Sequence, residues 1–402
     1  MRIFIEPTET LLFRKGRSFE AGDGNFAESM FPPTPETIQG ALRAAIAAQS
    51  NPKGTLAEAF ERRNGNEEND LVRLIGNREY YGRFRITGFT LGQRQKNGEI
   101  TRLFPSPANL LRDGKALIQL LPQKETGVVS NLPGDINQGE IRYLLPPKNS
   151  GIKNKLKPLE GWITESGLQK LLRHHTRPKE DEIISNHRIY EFESRVGIGM
   201  ENSTKTTKEG LLYSAQMVRM KPDFGFVVDI HLSKDAGSAK NSEQEIELVD
   251  DKKSLAALES YLHKSWLTLG GERRTAYVEV LEDSQQPKES PLLEQDRKGN
   301  MLYLATPTYF SQGWLPDHWP QNATLVSAAL NHYQPIGGWK LEPGHYGGAS
   351  KDMRRCVPAG SIYFFKETID FPQPLIQNVS NAQDNYGWQI GYGISYAGEY
   401  KS

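Results

Sequence analysis

Between residues 34 and 46 the apolar positions Ile38, Ala41, Leu42, Ala45 and Ile46 recur at helical spacing. That spacing puts them on one face of a helix. Thr34 is a capping residue, Pro35 fits a first turn, and Glu36 complements the positive end of the helix dipole, so the helix is predicted to begin there. A second stripe, Leu255, Leu258, Leu262 and Trp266, predicts a helix over 252–266, and a short helix is expected over 164–175. Short runs rich in β-branched and aromatic residues predict strands at 2–5, 10–14, 80–92, 99–104, 116–121, 211–219, 224–232, 275–281, 301–306 and 361–366. Asn97-Gly98 supplies the turn between two of them. The segments 16–29, 51–77 and 234–248 are polar, and 123–160 reads as a long insertion.

Strand–helix–strand–strand successions occur in both halves. They predict an α+β fold of two split βαβ modules, divided between 205 and 235 and taken as 1–220 and 221–402. The length of 402 residues suits two or three domains with substantial cores. No stretch approaches the roughly 18 apolar residues of a membrane-spanning helix, and Met1–Pro7 reads as a strand rather than the core of a signal peptide. Cys356 is the single cysteine, which excludes an internal disulfide and a cysteine-rich zinc site, and a reducing, cytoplasmic location is the expectation.

Charge changes the picture only locally. Lys plus Arg and Asp plus Glu both total 49, a balance unlike that of free nucleic-acid binders, which are usually basic. Yet 73–102 and 195–221 are rich in Arg and Lys, whereas 240–296 leans acidic. A bipolar chain of this kind can hold phosphate on one face and a protein on another; ordinary solvated faces give the same counts.

Catalytic signatures are missing. There is no phosphate-binding GxxxxGK[ST] loop, no GxGxxG fingerprint and no GxSxG elbow. His174-His175 is the only histidine cluster, and adjacent helical residues face apart, so no metal is expected. No cofactor is expected either. His345, in the glycine-rich 344–348 stretch, is the most suggestive candidate for a general base.

What the chain does carry is glycine followed by cations. In Gly270-Gly271-Glu272-Arg273-Arg274 the glycines permit positive φ and can aim backbone N–H groups into a concavity that takes a phosphate oxygen, with Arg273 and Arg274 supplying forked donors. Glu272 can orient one guanidinium or take a ribose hydroxyl. A glycine helix stop followed by exposed arginines fits the same residues. Arg195, Gly197 and Gly199 open a polar excursion through Thr204, Lys205 and Thr206 that closes at Gly210, a protruding hairpin able to meet sugars and phosphates or simply a mobile surface loop. Gly347–Arg355 repeats the first pattern with Lys351, Arg354 and Arg355. In the tail, 391–398, aromatics alternate with small residues, which suits base stacking or a packed strand end.

In order along the chain, the 31–43 block FPPTPETIQGALR, Leu103–Pro107, Glu193–Gly199 with Gly210–Tyr213, Gly270–Arg274, Thr306-Pro307 with Gly313-Trp314, Gly337–Trp339 and Val357–Ser361 resemble one family. It is the RAMP-superfamily subunit of the type III-B CRISPR (Cmr) effector that binds the 5′ tag of the crRNA. The resemblance implies two ferredoxin-like (RRM-type) modules with long insertions. It implies a non-catalytic subunit that recognises the crRNA 5′ tag and docks a large polymerase-like subunit and an adjacent backbone RAMP subunit. The expected RNA-binding residues are Gly270, Gly271, Arg273, Arg274, Arg195, Gly197, Gly199, Thr204, Lys205, Thr206, Lys351, Arg354, Arg355 and Arg43, the last from the helix that starts near Thr34. Two other readings compete. One is a metal-independent endoribonuclease of the same superfamily, using His345 with Lys351. The other is an assembly scaffold that never touches RNA.

Overall fold

The computed structural model describes residues 1–15, 26–51, 53, 63–64, 67–68, 70–76, 82–123, 142–148, 150–201, 203–204, 206–234, 248–286, 297–310, 313–316, 323–340, 349–371 and 390–401. It is a mixed α+β structure, rich in strands and poor in helices. Along the chain the elements that position the site are β1 (Arg2–Pro7), α1 (Pro35–Ser50), β2 (Phe84–Arg94), β3 (Ile100–Pro105), β4 (Trp162–Thr164), α2 (Glu165–Leu172), β5 (Tyr190–Met200) and β6 (Thr207–Met220). They continue as β7 (Phe224–Ser233), α3 (Lys252–Leu262), β8 (Ser265–Thr268), β9 (Thr275–Val280), β10 (Lys298–Leu304), β11 (Leu325–Ala329), β12 (Ile362–Asp370) and β13 (Ser395–Gly398).

Two compact units emerge, each assembled from three stretches of chain. The first takes Met1–Thr87, His187–Leu281 and Pro335–Arg355; the second takes Gly88–Asn186, Glu282–Gln334 and Cys356–Ser402. The sequence expectation of consecutive halves, 1–220 and 221–402, is a different division. Chain order does not reveal which strands return to an earlier sheet, because strand pairing is fixed by partners far away in sequence.

In the first unit β7, β1, β9 and β8 form antiparallel neighbours in that order. Alternation decides their faces. Ile3, Ile5, Val228, Val278 and Leu267 are buried on one side, and α1 and α3 pack on each other and on β8. The start of α1 follows the local chemistry: the Thr34 hydroxyl accepts from the Thr37 N–H at 3.3 Å, and Ile38, Leu42, Ala45 and Ile46 are buried. Asp251 does the same for α3, its carboxylate accepting from the Ser254 N–H at 3.1 Å and also pairing with Arg83 at 2.8 Å. Its carboxyl is held at about 2, below the ordinary 3.8, first by the Arg83 guanidinium and then by the Ser254 N–H and hydroxyl. The folded value lies below the unfolded one, so this contribution to stability is complete above about pH 4 and is lost as the pH falls toward about 2. Asp251→Asn is expected to flatten the loss of stability across that window in urea melts; parallel acid profiles for variant and wild type would show that the pair contributes nothing.

A second antiparallel ribbon in this unit, β5–β6, is far longer than the 197–210 hairpin expected from the glycines. It is paired from Tyr190↔Met220 to Met200↔Thr207, with an irregularity after Ile198. β6 continues into a parallel pairing with the two-residue strand Phe26–Ala27, which leaves β5 as the edge of its sheet.

In the second unit β2, β3 and β4 are antiparallel neighbours, and β11, β12, β10 and β13 form a four-stranded sheet in that order. Arg102 on β3 and Glu165 at the start of α2 make a bidentate ion pair with side chains only 1% and 8% exposed. The tail lies in this core: Ile390, Tyr392, Ile394, Tyr396 and Ala397 are buried and β13 pairs with β10. Its aromatics are therefore not available to stack bases.

Two local expectations are corrected. Residues 10–14 form no strand; they make single bridges, Leu11 with Val218 and Arg14 with Ser29, because their apolar side chains are drawn into tertiary packing. The helix over 252–266 stops at Leu262. Lys264 adopts positive φ (53°), and beyond it the buried positions alternate as Ser265, Leu267 and Leu269. Trp266, placed on the helical stripe by sequence, is instead an exposed strand residue.

Candidate functional site

Every sequence-predicted site residue that the structure describes falls in the first unit. Lys205 and the stretch 341–348, with His345, lie outside the described residues.

The Gly270–Arg274 run is the turn of the β8–β9 hairpin, closed by the Leu269 N–H donating to the Arg274 carbonyl at 2.7 Å. Gly270 has φ 76° and ψ −161°, a region open essentially to glycine alone. A Cβ there would stand 2.5 Å from the Leu12 carbonyl oxygen. Glu272 and Arg273 follow at φ 59° and 52°. Two consecutive non-glycine residues with positive φ are uncommon, and such strain persists only where surroundings impose it. The expected backbone nest needs correction at one of its members. The Gly271 N–H donates to the Leu12 carbonyl at 2.8 Å, so it anchors the loop to the body and is not offered to a phosphate.

The two arginines divide. Arg274 is half-buried between two carboxylates, Nη1 at 2.7 Å from Glu9 and Nη2 at 2.7 Å from Glu272. Glu272 thus orients a guanidinium, one of the two roles open to it. Glu9 also accepts from the Thr275 N–H at 3.0 Å, and hydrogen bonding from Arg274 and then from Thr275 holds its carboxyl below the usual range. Both terminal nitrogens of Arg274 thus meet carboxylates of the protein and hold the turn. Arg273 is exposed and has no ion-pair partner among the described residues.

The hairpin β5–β6 has two unlike faces. On one, Arg195 and Arg219 share Glu193, at 2.9 and 2.6 Å, and Lys221 pairs with Glu191 at 2.5 Å. Two hydrogen bonds from arginine hold the Glu193 carboxyl below its ordinary range. Arg195 is exposed, but its charge is shared with a carboxylate. On the other face Phe192, Val196, Ile198 and Met200 are 47%, 68%, 54% and 57% exposed, with only Ser194 between them. This apolar stripe went unremarked in the sequence reading, although its period of two from 192 to 200 was there to be seen. Gly197 and Gly199 lie on the opposite face, half-buried. Thr204 and Thr206 are exposed at the tip, their hydroxyls 2.7 Å apart.

Leu12 joins hairpin and loop. Leu11 bridges Val218 of β6; the Leu12 side chain packs with Ala27, Ala215 and Met217; its carbonyl receives Gly271. Nearby, Phe31 stacks against Tyr190 of β5 with ring centroids 4.2 Å apart. Lys351 is bonded to Glu36 in the first turn of α1, and its N–H donates to the Gly338 carbonyl at 2.9 Å. Lys351 is thereby engaged within the protein. Arg354 and Arg355 sit on the short strand Arg354–Cys356, half-buried and exposed respectively, and Arg43 is half-buried on α1. Among the described residues no group of histidine, cysteine and carboxylate side chains is placed to hold a metal ion, and no helix is long and apolar enough to cross a membrane.

Comparison with known proteins places the chain. Residues 3–400 match the model of a family of CRISPR-associated proteins. The chain belongs to that family, Cas_Cmr3. A relative from Saccharolobus solfataricus, the CRISPR system CMR subunit Cmr3, is 30% identical over 232 residues, covering 57% of this chain. The match spans about half the length of that relative, 54%. A chain in a type III-B Cmr-beta structure bound to cognate target RNA superposes with a TM-score of 0.51 at 20% identity, covering 98% of this chain and 95% of that one, a likeness of fold. A chain in the same kind of complex bound to target RNA and AMPPnP gives 0.49 at 19% identity, covering 98% of this chain and 95% of that one.

Proposed function

We propose that this protein is a non-catalytic, RNA-binding subunit of a type III-B CRISPR effector complex, where it recognises the 5′ tag of the crRNA and docks the large polymerase-like subunit and an adjacent backbone RAMP subunit. Family membership supports the complex. The observation that carries the RNA contact is the Gly270–Arg274 turn: a strained, anchored loop presenting Arg273 outward while Arg274 is retained as its internal brace. The apolar stripe on β5 suits a wedge that separates tag from guide, since an uncharged apolar edge parts stacked bases better than it grips phosphate. Arg195, Arg354, Arg355 and Arg43 are secondary contacts in this reading. We read the two units as ferredoxin-like (RRM-type) modules with insertions, for which the antiparallel sheet bearing α1 and α3 in the first unit is the support.

The test separates the two arginines. In a reconstituted complex, Arg273→Ala is expected to weaken tagged-RNA binding and to reduce the slope of log affinity against log salt by about 0.7, one single-strand phosphate contact. Arg274→Ala is expected to lower the melting temperature as well. Unchanged affinity and salt slope for Arg273→Ala would remove the turn from the RNA interface.

A further inference from the structure

The outer face of the β8–β9 hairpin carries a feature that the turn alone does not explain. Trp266 is 58% exposed, an unusual place for the largest side chain in a strand of only four residues. It meets Tyr277 across the ladder, ring centroids 5.2 Å apart at 64°. Thr268 and Thr275 are the next pair on the same face, both exposed, and the Thr8 hydroxyl lies 2.9 Å from that of Thr275. Two exposed cations flank β8 in the chain. Lys264 stands just before β8 and Arg273 at the turn beyond it; both are exposed, both have positive φ (53° and 52°), and neither has an ion-pair partner among the described residues. The carboxylate residues Glu6 and Glu279 share this face, Glu6 in register with Tyr277 and Glu279 two residues along β9 from it.

We propose that this face is a base-stacking platform for single-stranded RNA: one nucleobase seats on Trp266 beside Tyr277, while Lys264 and Arg273, at opposite ends of the hairpin, attract the RNA backbone before and after it. Aromatic surface with flanking cations is the combination that single-stranded nucleic acid requires, because every base has a stackable face and every linkage a charge. Thr268 adds an exposed hydroxyl to the same face, a group able to meet a ribose 2′-OH. The inference rests on the RNA-binding reading above and adds a site to it.

Fluorescein-labelled oligouridylate RNA of twelve nucleotides, titrated into the full chain and followed by anisotropy, tests it. Trp266→Ala is expected to weaken binding about tenfold, within the range of a lost base–aromatic stack, and to leave the salt slope unchanged. Trp266→Phe should restore most of the affinity, and Lys264→Ala should reduce the slope. Wild-type affinity in Trp266→Ala, with Arg273→Ala still impaired, would overturn the platform and leave the RNA-binding reading standing. The same overturning follows if Trp266→Ala spares RNA but blocks assembly with the other subunits, which would make the face a protein contact. Failure of the wild-type chain to bind RNA, alone and in the complex, would sink both.

Discussion

Glu165→Ala is expected to destabilise the protein by about 3–5 kcal/mol, the largest single effect foreseen here, because it strands a buried charge. The Arg102 guanidinium is 1% exposed and lies 5.4 Å from the Phe104 ring centroid, so removing Glu165 takes its bidentate carboxylate from a buried cation. The pair itself need not stabilise much, since two charges were desolvated to make it. The double change Arg102→Met, Glu165→Leu should therefore recover most of what the single change loses. Urea unfolding decides it. A double variant no better than Glu165→Ala would show that the loss comes from packing at the start of α2 and not from the orphaned charge.

Gly270→Ala should have the second-largest effect, and it acts on function directly. Its φ and ψ belong to a region that costs a side-chain-bearing residue on the order of 1–3 kcal/mol. A methyl group would also press on the Leu12 carbonyl at 2.5 Å and the Phe13 ring at 3.1 Å. Leu12 supports both the turn and the base of β5–β6, so displacement there disturbs both proposed RNA contacts together. The expected outcome is a lower melting temperature and a loss of RNA affinity greater than that of Arg273→Ala. Gly271→Ala is the control. Its φ is not positive and its nearest neighbour is the flexible Leu12 side chain at 3.3 Å, so it should be mild. Equal effects from the two variants would contradict this account of the turn.

These expectations separate what is legible along the chain from what is not. The start of α1 was readable because a cap, a first-turn proline and a helical stripe act within a few residues of one another. The Gly270–Arg274 turn was readable as a place of unusual backbone for the same reason. The end of α3 was misread: Trp266 continues the helical spacing of Leu255, Leu258 and Leu262, and only the pairing of Ser265–Thr268 with β9 turns it outward. Tail aromatics that look fit for stacking are enclosed by partners on β10.

The sequence by itself determined the α+β character, the membership that the ordered motifs suggested, and the positions of the glycine turn and the hairpin. Those follow from local propensity and from short-range spacing, which are encoded within a few residues. Tertiary structure alone decided which cation remains outward. Arg273 and Arg274 are adjacent and chemically identical, yet Glu9, 265 residues from Arg274, claims one and leaves the other to solvent. It also decided that Trp266 is surface and that Leu12 ties turn to hairpin. Ion pairs and burial depend on atoms that are distant in sequence and near in space, and no local pattern records them.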